Sequence, residues 1–345
     1  MQWLVTGGAG FIGTNFIRLA LAAHPDLSIV NLDKLTYAGN RQNLADLEGS
    51  GRYQFLQGDI CLPAHVERAI ELAGGRPAAI INIAAESHVD RSITAAGECV
   101  RTNVLGTQVL LDAARRCAAQ RFLQVSTDEI YGSLGPAGRF HERSPLAPNS
   151  PYAASKAAAE LLVRAAVHTH GVPAIITRGS NNYGSYQTPE KLIPLAISNA
   201  DAGQPIPLYG NGANIRNWIF VEDHCRGILA ALERGRPGEA YNLGGTDEIE
   251  NRALLGQILG LMGKPSSLIR PVPDRPGHDF RYSLDSTRAI TELGWTPQIG
   301  LTEGLARTIA WYRSNPAWTA QSRDSKFAAY YQGQYPTLHH EAAPR

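Results

Sequence analysis

A glycine-rich turn near the start of the chain constrains the fold more than any other feature. The apolar run Trp3-Leu4-Val5 leads directly into Thr6-Gly7-Gly8-Ala9-Gly10-Phe11-Ile12-Gly13, and apolar positions continue at helical spacing through Phe16, Ile17 and Leu21. A strand, a tight glycine turn and a helix start in this order direct backbone N–H groups toward a pyrophosphate. The sequence therefore predicts the first unit of a dinucleotide-binding domain.

An acidic residue follows at the separation that such a unit requires. Asp33 lies twenty residues after Gly13, at the end of the second apolar run. A carboxylate at this point accepts a hydrogen bond from a ribose 2′-hydroxyl, which favours NAD over NADP as the cofactor. Asp59 is predicted to lie near the adenine, and Ala84 and Ala85 to line the cofactor.

The first half of the chain alternates between short apolar runs and helical patterns. This alternation predicts a doubly wound parallel sheet of the Rossmann type, with helices on both faces. One of these patterns, Val100, Val104, Val109, Leu110 and Ala113, is expected to bury a helix face against the sheet. The runs are residues 2–5, 28–32, 53–57, 79–84, 121–126 and 174–178.

Beyond Arg178 the sequence becomes richer in Pro, Gly and Asn, and helical patterns occur at about 191–202, 222–234 and 250–262. We expect residues 1–178 to form the NAD-binding domain with the catalytic residues. Residues 179–320 are expected to be mainly a smaller α/β substrate lobe whose segments interleave with the first domain. Residues 321–345 form a polar tail without a recognisable period; it is assigned no function, and its end is expected to be mobile.

Five polar residues carry the predicted chemistry. Thr127, Asp128 and Glu129 follow the fifth apolar run, at a strand end where an open parallel sheet places its ligands. Tyr152 and Lys156 stand four apart on a predicted helix and share one face. A nearby ammonium favours the phenolate of a tyrosine, so Tyr152 is a candidate base for hydride transfer. If one of the two carboxyls is protonated and the other ionised, the pair can eliminate water.

Composition excludes several other classes. The 32 Lys and Arg against 31 Asp and Glu, with no basic stripe, argue against a nucleic-acid partner. Cys61, Cys99, Cys117 and Cys225 lack the spacing of a zinc or disulfide framework, so we expect reduced thiols, a cytoplasmic location and no metal site. No signal peptide or membrane-length apolar stretch is seen, and no membrane partner is expected.

Specific motifs make the chain resemble the dTDP-glucose 4,6-dehydratase family of the extended short-chain dehydrogenase/reductase superfamily. The resemblance runs from residue 2 to about 315. The motifs are TGGAGFIG at 6–13, DKLTYAGN at 33–40, AAESHVDRS at 84–92, STDEIYG at 126–132, SPYAASK at 150–156, NNYGSYQTPEKLIP at 181–194 and RPGHDFRYSLD at 275–285.

The resemblance implies conversion of dTDP-glucose to dTDP-4-dehydro-6-deoxy-glucose and water, with NAD regenerated in each turnover. Tyr152 would take the 4-hydroxyl proton while C4 gives up hydride, with Thr127 bonded to that oxygen. Glu129 would take the C5 proton, and Asp128 would protonate the departing 6-hydroxyl. A homodimer through the stretches near 98–118 and 152–170 is also implied.

The resemblance also implies two sets of binding residues. The cofactor set comprises Gly7, Gly10, Phe11, Ile12, Gly13, Asp33, Lys34, Leu35, Thr36, Asp59, Ile60, Ala84, Ala85, Ser87, Thr102, Tyr152, Lys156 and Asn182. The substrate set comprises Ser87, Thr127, Asp128, Glu129, Asn181, Lys191, Leu192, Pro207, Tyr209, Arg216, Asn251, Arg275 and His278. Arg216 and Arg275 suit a diphosphate clamp, because guanidinium pairs with phosphate oxygens.

Three positions depart from the family pattern, and three other functions stay open. Ser185 replaces a proline, Gly179 replaces a cysteine, and Asn82 lies in a strand that is usually apolar. A UDP-sugar 4,6-dehydratase would differ only in nucleotide recognition around Pro207 to Tyr209. A nucleotide-sugar 4-epimerase would have no need of the carboxyl pair. A non-catalytic NAD-binding scaffold usually lacks the tyrosine or the lysine.

Overall fold

The runs predicted as strands are strands in the computed structural model, which describes residues 1–336 and residue 338. The strands are β1 (Gln2–Thr6), β2 (Ser28–Asp33), β3 (Tyr53–Gln57), β4 (Ala79–Asn82), β5 (Phe122–Thr127), β6 (Ala174–Gly179), β7 (Asn181–Tyr183), β8 (Ile206–Tyr209), β9 (Ile215–Phe220), β10 (Ala240–Leu243), β11 (Asp247–Glu250) and β12 (Ile269–Val272).

The helices fall between these strands, as the alternating pattern predicted. They are α1 (Phe11–Ala23), α2 (Pro63–Leu72), α3 (Val89–Thr94), α4 (Ala96–Cys99), α5 (Gly106–Arg116), α6 (Pro151–His170), α7 (Leu192–Asp201), α8 (Val221–Arg234), α9 (Asn251–Met262), α10 (Thr287–Leu293), α11 (Leu301–Ser314), α12 (Pro316–Ser322) and α13 (Ser325–Gln334). Short 3₁₀ turns span Arg41–Leu47, Asp128–Tyr131 and Ser266–Leu268, and a π-helical segment, Val100–Leu105, joins α4 to α5.

The main sheet has seven parallel strands in the order β10-β6-β5-β4-β1-β2-β3. Its strands are continuous apolar runs because helices cover both faces. One face is closed by α1, α8 and α10, and the other by α2, α5 and α6. The predicted Rossmann-type fold is confirmed, and its order reverses between β1 and β4, where such sheets place their ligands.

Part of the chain beyond residue 178 returns to this first sheet. Helix α8 packs on α1 through side chains such as Ile228, and β10 pairs with β6. The helix predicted near 222–234 is therefore one of the segments beyond residue 178 that pack on the first domain. Its apolar periodicity indicated a buried face, but the α1 face that covers it lies about 200 residues away in sequence.

The smaller lobe is built on two short sheets. Strands β11, β9 and β7 form one, and β12 pairs with β8 in the other. Helices α7, α9 and α11 cover them, and Ile193, Leu254 and Leu305 lie in their shared core. The lobe lies beyond the carboxyl ends of β5 and β6, so a cleft forms between it and the main sheet.

Two other expectations need correction. Val100 was expected to face the sheet, but 55% of it is exposed, as is 49% of Leu105, whereas Leu110 and Ala113 are buried. The π-helical segment has one extra residue in its turn, which rotates this stretch outward relative to α5.

The tail is also more ordered than its sequence suggested. Helix α13 packs against β8, with the Tyr209 and Tyr335 rings 6.0 Å apart, so the absence of a recognisable period was misleading. The expected mobility of the extreme end falls on residue 337 and residues 339–345, outside the described residues. Within residues 1–336 and 338, no helix combines the length and the hydropathy needed to cross a membrane.

Candidate active site

The glycine turn forms a cradle that only glycine fits. Gly7 has a φ of 71°, and a Cβ placed there would lie 2.6 Å from the backbone of Ala84. A Cβ at Gly13 would lie 2.2 Å from the carbonyl oxygen of Gly7. The turn and the start of α1 therefore pack backbone against backbone, which leaves N–H groups free to approach a phosphate.

Asp33 lies at the end of β2 and fixes both neighbouring loops. Its two carboxylate oxygens accept hydrogen bonds from the N–H of Ala9 (2.9 Å) and of Leu35 (2.8 Å). Burial raises the pKa of Asp33, and these two backbone bonds oppose that rise. Each oxygen retains a lone pair, so the predicted bond to a ribose hydroxyl is compatible with this geometry.

The structure gathers nearly all predicted cofactor residues around one cleft. Two predicted cofactor residues do not line this cleft. The N–H of Leu35 donates a hydrogen bond to Asp33, and Asn182 lines the adjoining cleft. The residues that do line it are Gly7, Gly10, Phe11, Ile12, Gly13, Asp33, Lys34, Thr36, Asp59, Ile60, Ala84, Ala85, Ser87, Thr102, Tyr152 and Lys156. Lys34 lies 3.0 Å from Asp59, and hydrogen bonds from the Cys61 N–H and from Lys34 lower the pKa of that carboxyl against its burial.

Tyr152 and Lys156 lie at the start of α6, where both clefts meet. Helix α6 is anchored to the sheet by the buried ion pair of Glu160 with Arg178 on β6, 2.6 Å apart. The ammonium of Lys156 donates to the carbonyl of Val125 (2.6 Å), and burial lowers its pKa to about 8.

The phenol differs from the sequence-based expectation of an acidified tyrosine. Burial, together with the carboxylates of Glu129 and Asp128, raises the pKa of Tyr152 well above its usual value. A hydrogen bond with the Thr127 hydroxyl opposes the rise. The ammonium of Lys156, the group expected to favour the phenolate, donates to a strand carbonyl of β5.

Asp128 is a buried carboxyl that stays protonated at neutral pH. Burial, followed by the neighbouring charge of Glu129, raises its pKa to about 8. Its Oδ1 lies 3.3 Å from the hydroxyl of Thr127, and its buried Oδ2 has no hydrogen-bond partner among the described residues. A protonated carboxyl in this position is suited to donate a proton.

Glu129 lies in a different electrostatic environment. Burial raises its pKa as well, but the positive charges of Arg275, Lys191 and Arg216 all lower it. For Asp128 the cation with a marked effect is Arg216. These cations favour the carboxylate form of Glu129 more than that of Asp128, which is the difference that an acid and a base side by side require.

The second cleft opens between the sheet and the smaller lobe and brings the whole predicted substrate set together. Its lining includes Ser87, Thr127, Asp128, Glu129, Asn181, Lys191, Leu192, Pro207, Tyr209, Arg216, Asn251, Arg275 and His278. These side chains come from both lobes and from loops that are far apart in sequence.

The two arginines of the predicted clamp are held rigidly. Arg216 donates to the carbonyl of Asp279 (2.9 Å) and lies over the Tyr282 ring, 4.5 Å from its centroid. Arg275 forms an ion pair with Asp90 at 3.0 Å, and its buried Nε lacks a partner among the described residues. Both guanidiniums face the cleft with their orientation fixed by other protein groups.

Buried polar atoms without hydrogen-bond partners in the described part of the chain concentrate along this cleft. Such atoms are costly in a folded protein, so their clustering indicates a site for a polar ligand. They are His88 Nδ1, Ser126 Oγ, Asp128 Oδ2, Asn181 Oδ1, Asn182 Oδ1, Gln187 Oε1, Trp218 Nε1, both ring nitrogens of His224, Asn251 Oδ1 and Arg275 Nε.

Several lining residues were missed from the sequence. Gln187 lines both clefts, while His224, Tyr282 and Tyr335 line the second. Tyr335 came from the tail that was assigned no function. The sequence signal that could have revealed Tyr335 is the aromatic run Tyr330, Tyr331 and Tyr335. Tyr331 and Tyr335 are separated by one helical turn, which places their rings on one face.

The glycine cradle, Asp33 and the Tyr152–Lys156 helix fit a bound NAD, and together with the seven-stranded sheet they define an extended short-chain dehydrogenase/reductase. The sequence profile of the family described as GDP-mannose 4,6 dehydratase matches residues 4–308. The chain belongs to this family. Within it, the relatives described next place the chain among the dTDP-glucose 4,6-dehydratases.

A dTDP-glucose 4,6-dehydratase of Streptomyces niveus is 51% identical over 322 residues, which cover 92% of this chain and 94% of that protein. The crystal structure of DesIV, a dTDP-glucose 4,6-dehydratase of Streptomyces venezuelae with NAD bound, superposes with a TM-score of 0.90 at 50% identity and covers 93% of this chain and all (100%) of that one. The UDP-glucose 4-epimerase of Thermus thermophilus shares the fold at a TM-score of 0.85 but only 30% identity, with coverage of 91% and 100%.

Proposed function

We propose that this chain is an NAD-dependent dTDP-glucose 4,6-dehydratase, a lyase that forms dTDP-4-dehydro-6-deoxy-glucose and water. The observation that carries the proposal is the pair Asp128 and Glu129, two adjacent carboxyls in the cleft, of which Asp128 has a pKa raised to about 8 and Glu129 faces three cations that oppose its rise. Loss of water from neighbouring carbons needs an acid and a base on the same substrate, and this pair supplies both.

The first step is oxidation at C4 of the sugar. The oxygen of Tyr152 takes the 4-hydroxyl proton, and Thr127, whose hydroxyl lies beside both Tyr152 and Asp128, bonds the same sugar oxygen. Bound NAD⁺ supplies the hydride acceptor for C4, the donor that later returns the hydride to C6, and a positive charge that favours the phenolate. Lys156 fixes the start of α6 against β5 through its bond to the carbonyl of Val125.

The second step is elimination across C5 and C6. The 4-keto group acidifies the C5 hydrogen, and the carboxylate of Glu129 removes it as a proton. Asp128 donates its proton to the 6-hydroxyl, which leaves as water while the C5–C6 double bond forms. Hydride addition at C6 and return of a proton to C5 from Glu129 complete the product. Asp128 then takes up one proton and Tyr152 releases the proton that it took from the 4-hydroxyl, so both groups return to their starting states and no net proton is consumed over the cycle.

Recognition of the nucleotide is assigned to the far end of the same cleft. Arg216 and Arg275 are placed to bind the diphosphate, and Pro207, Tyr209 and Asn251 to contact the base and its sugar. The choice of thymine over uracil rests on the curated relatives, which are dTDP-glucose enzymes. An epimerase is disfavoured because returning hydride to C4 uses neither an acid at C6 nor a base at C5.

The test is to incubate the purified protein with dTDP-glucose and, separately, with UDP-glucose, first without and then with added NAD. Mass spectrometry follows the loss of water and the 4-keto product. Dehydration of dTDP-glucose alone supports the proposal, and dehydration of UDP-glucose moves the assignment to a UDP-sugar dehydratase. Conversion of dTDP-glucose to its C4 epimer without loss of water would identify an epimerase and refute the proposal.

The assembly and location follow from surface features. The exposed apolar side chains of Val100, Leu105 and Leu161, at 55%, 49% and 55% exposure, lie on the helices expected to form a dimer. We assign this face to a homodimer, which light scattering would detect and Leu161→Lys would dissociate. The four cysteines are free, which suits a reducing compartment such as the cytoplasm.

A further inference from the structure

Arg91 on α3 lies between two aromatic rings and against a carboxylate. Its guanidinium carbon is 4.5 Å from the ring centroid of Tyr37 on one side and 4.5 Å from that of Tyr330 on the other. Its edge donates two hydrogen bonds to Glu190, one of them 3.2 Å long. The side chain of Glu190 is only 6% exposed, so this pair is partly shielded from solvent.

The three partners belong to three separate segments around the proposed cofactor cleft. Tyr37 lies in the loop 34–40, which supplies Lys34, Thr36, Ala38 and Gly39 to the cleft wall. Glu190 lies in the segment 187–191, which supplies Gln187, Thr188 and Lys191 to another wall of the same cleft. Tyr330 is on α13, the helix just before Tyr335. Arg91 is therefore the side chain that connects both walls with the C-terminal helix.

The chemistry of arginine suits this three-way contact. A planar guanidinium offers both faces to aromatic rings while its edge makes paired bonds to a carboxylate. A lysine ammonium cannot stack on two rings and bond a carboxylate edge at the same time. The preceding residue, Asp90, forms an ion pair with Arg275 and accepts a hydrogen bond from the Tyr209 hydroxyl, so α3 also contributes to the substrate cleft.

We propose that Arg91 is a positioning residue that latches the loop 34–40 to the segment 187–191 and to α13, and thereby retains NAD through successive turnovers. The inference rests on the proposed function, in which the cofactor is regenerated on the protein and has no need to leave. Release of NAD then requires the two cleft walls to separate, and each Arg91 contact opposes that separation.

The experiment measures NAD release without any sugar nucleotide. NAD-loaded full-length protein is diluted into NAD-free buffer, and the NAD that remains bound is quantified over time after rapid filtration. The variants are Arg91→Ala, Arg91→Lys, Tyr330→Ala and Tyr330→Phe. Arg68→Ala is the matched control, because Arg68 forms an exposed helical ion pair with Glu71 on α2.

We expect release from Arg91→Ala to be about tenfold faster or more, from the loss of two stacked rings and a paired carboxylate bond. Arg91→Lys and Tyr330→Ala should also speed release, whereas Tyr330→Phe, which keeps the ring, should match the Arg68→Ala control. The apparent KM for NAD should rise in the fast-releasing variants, and added NAD should restore their lost activity.

Release from Arg91→Ala and Arg91→Lys within twofold of the parent protein would overturn the proposal, as would a parent protein that does not retain NAD. If thermal unfolding shows that Arg91→Ala does not fold, the release rates of Arg91→Lys and Tyr330→Ala test the proposal in its place. Because no sugar is present, faster release together with failure to dehydrate dTDP-glucose would refute the proposed function and leave the latch standing.

Discussion

Asp128 and Glu129 are consecutive in the chain and line the same cleft, yet they face different charges. Three cations, Arg275, Lys191 and Arg216, lower the pKa of Glu129, whereas Asp128 is affected mainly by burial and by Glu129 itself. Asp128, with its pKa raised to about 8, therefore holds a proton at neutral pH, while the three cations oppose the rise that burial causes in the pKa of Glu129. Under the proposed function, this asymmetry suits Asp128 as the acid and Glu129 as the base of one elimination.

Replacing each carboxyl by its amide should stop the reaction at a different stage. Asp128→Asn and Glu129→Gln should each lower kcat by about 10²–10⁴-fold, since each removes a positioned proton-transfer group. In D₂O, Asp128→Asn should still exchange the C5 hydrogen of dTDP-glucose, because its base is intact, whereas Glu129→Gln should not. Mass spectrometry of recovered sugar measures the exchange. Equal exchange in the two variants would show that the acid and base roles are wrongly assigned.

The pH dependence of kcat should report the raised pKa of Asp128. The acid works only while protonated, so kcat should fall as pH rises through about 8, by about tenfold per unit beyond it. The pKa of Lys156 is lowered to about 8 as well, so loss of its charge could produce a similar limb. A single-turnover measurement of C4 oxidation separates the two, because that step does not use Asp128. Activity that stays level to about one unit above that pKa would contradict a protonated acid.

Tyr152→Phe should abolish oxidation while leaving the cleft intact. The variant keeps the ring but loses the group that takes the 4-hydroxyl proton, so kcat should fall by about 10²–10⁴-fold. No C5 exchange should occur either, because without the 4-keto group the C5 hydrogen is not acidic. NAD content after purification should match that of the parent protein. Exchange at C5 in this variant would show that another group performs the oxidation.

Gly179 should not tolerate the cysteine that the family pattern has at this position. A Cβ at Gly179 would lie 2.5 Å from Nε2 of His224, a fully enclosed ring 1% exposed. We expect Gly179→Cys to lower the free energy of unfolding by about 1–3 kcal/mol, because extra volume in a packed site forces shifts. Urea unfolding measures the change.

A helix glycine in open space is the matched control for that substitution. A Cβ added to Gly256 on α9 would meet no other part of the described chain within 4 Å, so Gly256→Ala should be neutral or stabilise by up to about 1 kcal/mol. Unfolding of Gly179→Cys at the same urea concentration as the parent protein would mean that His224 has room to move, and the steric argument would fail.

Local pattern was enough to predict much of the fold and site. The strand, glycine turn and helix of residues 2–23, the strand ends that carry Asp33 and Thr127, and the pairing of Tyr152 with Lys156 on α6 all depend on residues close together in sequence. Strand ends in a parallel sheet meet at one edge, so the clustering of these residues could be anticipated. The resemblance to a family added the substrate residues that no local pattern marks.

The sequence by itself determined the strand–helix alternation, the cofactor turn and the identity of the chemical groups. Only the tertiary structure decided that α8 and β10 return to the first sheet, that Val100 faces outward, and that Tyr335 reaches the cleft. It also decided which charges surround each carboxyl, because the cations around Glu129 come from positions up to 146 residues away along the chain. Sequence periodicity indicates whether a side chain is buried. The protonation state of a side chain and the residues that it contacts depend on distant segments of the chain, and those segments meet only once the chain is folded.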